Sequence, residues 1–440
     1  MFRFVSVLCV GLALAFLLAP AVAAKQITLD VSMANPTLLA DKKQKTYLKV
    51  GLTGFKISSK GKRAPVNIAF VIDKSGSMSG QKIAKAREAA KFAVRRLDRK
   101  DIVSLVAYDS TVRVLLPATR LNDKDAVCRA IDRLGAGGST ALFAGVSKGA
   151  AELRKFKHKD YVNRIILLSD GLANVGPSSP SALGELGGSL IKEGISVSTL
   201  GLGSDYNEDL MSQLASRSDG NHIFIERADD LARIFNFEFD DVLSVVAQEV
   251  AIEIKLGQGV RPIRVLNREA EINGNKVIVK LNQLYAEQEK YILIEVEVPA
   301  TKAGRSRKIA EVDVSYSNMA TKTTDRVAST VSATFDKSEK TVEAKTNKAV
   351  TVECVIQIAN GQNKLATVLR DKGDIDGARK LLLDNAKFLE YNGTKFDSEK
   401  LRIRYRWNHD QAENLDGEKW NNSRKLMRRY QHFDATQQSF

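Results

Sequence analysis

The chain has 440 residues, 44% hydrophobic and 27% charged. That suits two or three globular domains and excludes wholesale disorder. Eight prolines and 29 glycines exclude a collagen-like chain, and three cysteines exclude a disulfide scaffold. Four histidines argue against a His-based zinc site. The net charge of +15 is concentrated at the ends, with +7 over residues 24–66, +5 over 337–440 and +2 between them.

The N-terminus reads as a targeting segment. Arg3 is followed by an apolar run from Val5 to Leu18, then by Pro20 and the small residues Ala21-Val22-Ala23. This pattern predicts a signal peptide over residues 1–23, cleaved before Ala24, although an uncleaved anchor is the competing reading. No later apolar stretch approaches the roughly 18 residues a membrane span needs. The expected product is an exported protein of a bacterial envelope, periplasmic or extracellular. It keeps Cys128 and Cys354, which fall in different regions and read as free buried thiols. The basic ends fit anionic surface polymers, lipid headgroups or acidic proteins. No aromatic-interleaved basic stretch for nucleic acid is present.

Residues 26–54 alternate like strands, and Lys56 to Arg63 is a polar connector. From Asn67 the pattern changes. Ile68-Ala69-Phe70-Val71-Ile72 is a continuous apolar run, as in a strand buried on both faces. Helical spacing follows through Ile83, Ala86, Ala90, Ala93 and Leu97. Next are a strand over 102–108, helices over 124–134 and 141–155, and a strand over 164–168. Helix 181–193, strand 195–200, helix 207–216, strand 222–225 and helix 229–243 complete the series. This alternation predicts a doubly wound, mostly parallel, Rossmann-like sheet with helices on both faces.

Strands return over 251–256, 277–281, 292–298, 309–316 and 327–335, and they read as an antiparallel sandwich. The strands before residue 55 need partners there, so the α/β unit is expected as an insertion in the sandwich. The predicted divisions are 24–65 and 246–336 for the sandwich, 66–245 for the α/β unit and 337–440 for a C-terminal helical region. Within that last region, 392–440 carries many charges and few apolar positions and reads as partly helical, partly loose.

Asp73-Lys74-Ser75-Gly76-Ser77 follows the first buried strand, Gly137-Gly138-Ser139-Thr140 precedes a helix, and Ser169-Asp170-Gly171 ends another strand. Ligands of open α/β sheets sit at the strands' carboxyl ends, so these groups are expected on one rim. Two carboxylates and three hydroxyls suit a hard divalent cation, magnesium ahead of manganese, with calcium as a further alternative. In the competing reading the serines simply cap a turn.

Together, Asp73-x-Ser75-x-Ser77, Thr140 and Asp170 resemble the metal-ion-dependent adhesion site of the von Willebrand factor type A family. Thr199-Leu200-Gly201-Leu202-Gly203, Leu214-Ala215 and Asp219-Gly220 are similar to the later part of that domain, over roughly residues 66–245. The wider arrangement resembles exported bacterial type A proteins grouped with inter-alpha-trypsin inhibitor heavy chains and so-called calcium-activated chloride channel proteins. The resemblance implies direct metal ligation by Ser75, Ser77 and Thr140, with Asp73 and Asp170 acting through water. It also implies a protein partner that brings an Asp or Glu carboxylate to the cation.

Other motifs fail on context. Ser147 in Gly145-x-Ser147-x-Gly149 lies within a helix rather than after a strand. Gly201-Leu202-Gly203 lacks the third glycine of a dinucleotide loop. Asp371, Asp374 and Asp376 lack calcium-loop spacing. His158, His222, His409 and His432 are scattered and read as surface or edge residues. Asp109 either supports the rim or caps a turn, and Asn174 is expected to shape the loop after Asp170. The expected function is therefore metal-dependent, adhesion-type protein binding rather than catalysis. The alternatives are a metal-assisted hydrolase, or a structural envelope protein that binds anionic surfaces through its basic ends.

Overall fold

The computed structural model describes residues 26–57 and 63–438. The targeting segment with its cleavage point, and residues 58–62 of the polar connector, lie outside the described residues. The chain opens with β1 (Thr28–Met33), β2 (Thr37–Leu39) and β3 (Gln44–Thr53). The α/β series follows as β4 (Val66–Asp73), α1 (Gln81–Arg96), β5 (Ile102–Tyr108), β6 (Val112–Arg120), α2 (Lys124–Asp132) and α3 (Leu142–Arg154). It continues with β7 (Val162–Ser169), α4 (Pro180–Lys192), β8 (Ile195–Leu202), α5 (Glu208–Arg217), β9 (His222–Ile225) and α6 (Leu231–Leu243).

These six strands form one sheet in the order β6-β5-β4-β7-β8-β9. All neighbours are parallel except β5 and β6. Burial on both faces explains the continuous apolar runs. In β4, Ile68, Phe70 and Ile72 face the layer of α1, α2 and α6, while Ala69 and Val71 face α3, α4 and α5. β6 escapes the sequence pattern because it is a half-exposed edge strand carrying Pro117.

The sandwich follows as β10 (Val245–Leu256), β11 (Arg261–Val265), β12 (Glu271–Asn273), β13 (Lys276–Tyr285), β14 (Glu289–Val298), β15 (Ser306–Asn318) and β16 (Thr324–Asp336). One sheet runs β1-β3-β14-β11 and the other β12-β13-β10-β15-β16-β2. β3 pairs with β14 from Thr53↔Glu289 to Gln44↔Val298, across the whole α/β unit in sequence. The doubly wound sheet is thus inserted in the β-sandwich. Inward residues of both sheets, among them Leu48, Val50, Ile252, Ile294 and Val312, form the sandwich core.

The C-terminal region is helical: α7 (Glu339–Ala344), α8 (Lys348–Asp371), α9 (Ile375–Lys395), α10 (Glu399–Glu413) and α11 (Gly417–Thr436). Residues 392–438 are therefore helical almost throughout, more regular than their composition predicts. Trp420 and Met427 of α11 pack with Ala366, Leu382 and Ala412 of the neighbouring helices, and Leu426 packs on the α/β core. Much of the remaining contact of α11 is ionic, which leaves little apolar periodicity to read. None of the helices among the described residues is long and apolar enough to cross a membrane.

The joint between the α/β unit and the sandwich is polar and buried. Arg164 of β7 is fully buried. It donates to Ser198 Oγ at 2.6 Å, Glu238 Oε1 at 3.1 Å and Tyr285 Oη at 2.9 Å, and also to Gln283. Tyr285 and Gln283 belong to β13, so one guanidinium ties the two units together. A second tie is Asp219, whose Oδ2 accepts from Asn282 N at 2.8 Å and Lys290 Nζ at 3.1 Å.

Candidate functional site: the carboxyl rim of the parallel sheet

β4 delivers Asp73 to the rim, and β7 delivers Ser169 and Asp170 beside it. Asp73 and Asp170 are fully buried, Ser75 and Thr140 nearly so, and Ser77 is exposed. The loop before α3 is stitched to the Asp73 loop by Gly76 N to Gly138 O at 3.0 Å and Gly137 N to Lys74 O at 2.7 Å. Gly138 takes φ +85° in this loop, a conformation that favours glycine. Asn174 does shape its loop: its Oδ1 accepts from Thr140 N at 2.8 Å, and its own N donates to Thr140 O at 3.1 Å.

The five residues singled out from sequence therefore meet. A methyl group built on Gly171 would lie 3.2 Å from Ser77 Oγ, 3.2 Å from Thr140 Oγ1 and 3.7 Å from Ser75 Oγ. The three hydroxyls converge above that glycine. The exposed Leu172 stands next in the chain.

The charges at this rim are met from within the chain. Asp73 Oδ1 accepts from Ser75 N at 2.8 Å, and its Oδ2 accepts from Ser169 Oγ at 2.6 Å. Burial, with Asp170 adding to it, pushes the Asp73 carboxyl above its ordinary range against these hydrogen bonds. Asp170 accepts from Ser77 Oγ at 2.6 Å and from the Lys82 ammonium at 2.5 Å. Lys82 is in the first turn of α1, a turn without acidic residues. A cation there opposes the helix dipole, and pairing with Asp170 offsets that cost. Asp109 fills both roles left open for it. It caps a turn by accepting from Thr111 N at 2.8 Å, and it pairs with Lys74. Burial raises its carboxyl, but Lys74 and Thr111 outweigh that and hold it below the usual range.

These contacts correct the expected chemistry. Among the described residues there is no group of three or more His, Cys, Asp and Glu side chains able to hold a metal ion. The rim offers two carboxylates: one is buried with its charge disfavoured, and the other is engaged by an ammonium. A divalent ion would have to displace Lys82 from Asp170. The residues do not fit the expected magnesium, manganese or calcium, and the intact metal-ion-dependent adhesion site is withdrawn. With it goes the partner that hands an Asp or Glu carboxylate to a bound cation. The basic ends as docks for polymers or headgroups are withdrawn too, because their buried and half-buried cations are drawn into internal ion pairs, Lys49 and Arg63 near the start among them. Arg424, Lys425 and Arg428 bind Glu208, Asp209 and Asp371, and Arg404 binds Asp434.

Sequence reasoning missed Lys82 and Leu172 as parts of this rim, and it placed Ser169 and Gly171 there without giving either a role. A lysine in an acid-free first helical turn was the available signal for Lys82. Sequence reasoning also misplaced two histidines. His222 and His432 are buried, with ring centroids 6.2 Å apart. The other motifs behave as their contexts predict. Ser147 lies inside α3, Gly203 turns the chain from β8 toward α5 at φ +73°, and Asp374 N-caps α9. Cys354 is buried and free, and Cys128 is free and partly exposed.

Residues 67–236 match the von Willebrand factor type A domain family. That match covers the sheet, its helices and the rim. A Synechocystis relative, "Uncharacterized protein sll0103", is 26% identical over 337 residues, covering 74% of this chain and 79% of that protein. Inter-alpha-trypsin inhibitor heavy chain H3 of rat is 31% identical over 175 residues, but this chain spans 19% of its length. Among solved structures, a von Willebrand factor type A protein from Catenulispora acidiphila superposes with a TM-score of 0.68 at 18% identity. It covers 86% of this chain and 89% of that one, so the likeness of fold extends well beyond the α/β unit. The resemblance to type A proteins holds for the fold and fails for the metal motif.

Proposed function

We propose that the chain is an exported, non-catalytic protein-binding module whose partner docks on the carboxyl rim of the parallel sheet. The observation that carries this reading is the convergence of the Ser75, Ser77 and Thr140 hydroxyls above Gly171, flanked by the Lys82–Asp170 pair and the exposed Leu172. Hydroxyls that donate and accept, beside an exposed leucine, suit direct hydrogen bonding around a small apolar contact. The type A match over the same residues supports a binding role, and the N-terminal sequence supports export. The proposed working unit is 66–245, held by a sandwich of 24–65 and 246–336 and by the helical region 337–440.

Gly171→Val places methyl groups among the three hydroxyls, and Leu172→Asp removes the apolar contact. The test is affinity capture from the native envelope with wild type and both variants, after circular dichroism confirms that each is folded. A partner retained by wild type in EDTA and lost by both variants supports the reading. Equal capture of every partner by all three proteins refutes it.

A further inference from the structure

α11 is held to the α/β unit by a mostly polar, largely buried seam. Arg424 pairs with Asp209 at 2.5 Å, with Asp371 at 2.8 Å and with Glu208. Lys425 Nζ, nearly fully buried, donates to Tyr206 O at 2.8 Å and Glu208 Oε2 at 2.6 Å. Arg428 Nε donates to Asp209 Oδ1 at 2.7 Å. One turn further along, His432 reaches the end of α5 and the start of β9. Its Nε2 donates to Gly220 O at 3.1 Å, and its Nδ1 accepts from Ser216 Oγ at 3.1 Å. Both ring nitrogens are satisfied in the neutral form.

The facing ring belongs to His222. Thr199 Oγ1 lies 3.2 Å from Met211 O and 3.4 Å from Asn221 O, so its proton points to a carbonyl and His222 Nδ1–H donates to Oγ1 at 2.9 Å. That assigns the bare lone pair to Nε2, which finds no hydrogen-bond partner among the described residues. A proton added there would be buried without an acceptor.

We propose that α11 is an acid-released latch: docked on the α/β unit while His222 and His432 are neutral, and loosened when either ring takes a second proton. The charged groups around the pair favour release. Lys364 of α8, Arg268 before β12, and Lys425, Arg428 and Arg429 of α11 itself all oppose a further positive charge. Asp219 favours it, but that carboxylate is already shared between Lys290 and Arg268. Asp209 does not give way first. Burial raises its carboxyl, yet Arg428 and Arg424 outweigh that and hold it below the ordinary range.

The direction of the pH effect follows. Burial lowers His432 from an ordinary 6.5 to about 4, and it lowers His222 well below its ordinary value too. The docked form therefore binds fewer protons than the released one. Docking is at full strength above pH 6.5 and weakens as pH falls through the window between 6.5 and 4. Each titrating histidine shifts the docked-to-released ratio up to tenfold per pH unit, or about 300-fold across that window for His432.

The test is hydrogen exchange of the full chain from pH 7.5 to 4.5, with rates normalised to unstructured peptides. Peptides covering 210–224 and 424–436 should lose protection by up to about a hundredfold per unit below pH 6.5, about tenfold for each histidine. Peptides covering β14 should hold theirs. In His432→Gln the loss should flatten by about a factor of ten per unit, and His222→Gln gives the same comparison should the first variant fail to fold at pH 7.5. Flat protection of the seam in wild type, a loss in step with β14, or an unchanged loss in a folded variant would each overturn the latch.

Discussion

The Arg164 network yields a prediction whose size follows from burial. Arg164 and Glu238 have no exposed side-chain surface. Arg164 stays cationic: burial works against its charge, but Tyr285 and Glu238 outweigh it and raise its affinity for the proton. Replacing Glu238 with Leu strands that cation, and replacing Arg164 with Leu strands Glu238 beside Asp241. Removing one partner of a buried pair costs about 3–5 kcal/mol, because the other charge is left uncompensated. The arginine change also takes the donor from Gln283 Oε1 and Tyr285 Oη, while Ser198 keeps Glu238, so it belongs at the upper end of that range. The double variant Arg164→Leu/Glu238→Leu should cost less than the larger single, since neither charge of the pair is left without its partner. The assay is urea unfolding at pH 7, followed by circular dichroism and by a probe on β13 to separate the transitions of the two units. Single changes that each cost less than about 1 kcal/mol, or a double variant costing the sum of the singles, would refute the argument that a desolvated ion pair governs this joint.

Two further predictions concern charge. Asp219→Asn keeps the left-handed backbone at φ +52°, which asparagine tolerates, but presents an amide to Lys290 and two backbone N–H groups. It should cost about 2–4 kcal/mol at pH 7. Burial raises the Asp219 carboxyl, yet Lys290 and Arg268 outweigh it and hold it below the ordinary range. Its stabilisation is therefore full above the unfolded carboxylate's range and fades as pH falls through the lowered value, so the urea midpoints of wild type and variant should draw together as pH falls below the ordinary carboxylate range. At the rim, magnesium or manganese added to the wild-type chain should give no one-to-one heat in titration calorimetry. Lys82→Met should lower stability by about 1–3 kcal/mol by leaving Asp170 without its ammonium. A stoichiometric heat in wild type would reinstate the cation and overturn the role given to Lys82.

The sequence carried the fold wherever apolar burial set the pattern. β4, β5, β7 and β8 are buried on both faces, and the apolar run Ile68–Ile72 of β4 shows it most plainly; that the first strands belong to the later sandwich was legible because they had no other partners. β6 was not legible, because an edge strand with Pro117 has neither clean alternation nor a continuous run. The candidate rim was legible as a set of residues. Strand ends fix where Asp73 and Asp170 emerge, and the glycines at 137 and 138 let Thr140 approach. Its chemistry was not read, because the decisive contact comes from Lys82, whose one trace in the sequence is a first helical turn without acidic residues, and the apolar periodicity of that helix does not point to it. His222 and His432 were misread for a related reason. A histidine is placed inside by its partners, and those partners are 210 residues apart in the chain.

The same physics explains why the individual units were readable and their mutual arrangement was not. Each unit buries its own apolar faces, and apolar periodicity reports that directly. The ties between units run heavily through Arg164 to β13, Asp219 to β14, and α11 to the start of α5, all dominated by buried or half-buried ions. Such pairs add little net stability over well-packed apolar contact but carry a steep penalty when a partner is missing or displaced. Their effect is angular: a guanidinium shared among Ser198, Glu238, Gln283 and Tyr285 is satisfied in one arrangement of sheet and sandwich. An apolar joint would tolerate sliding, and sliding would tilt the parallel sheet relative to the sandwich. The carboxyl ends of β4 and β7 would tilt with it, carrying Asp73, Asp170 and the loops that bring Ser75, Ser77 and Thr140 together. Holding that rim at a fixed attitude is what a binding surface requires of its support, and scattered charged residues do so without leaving a periodic trace in the sequence.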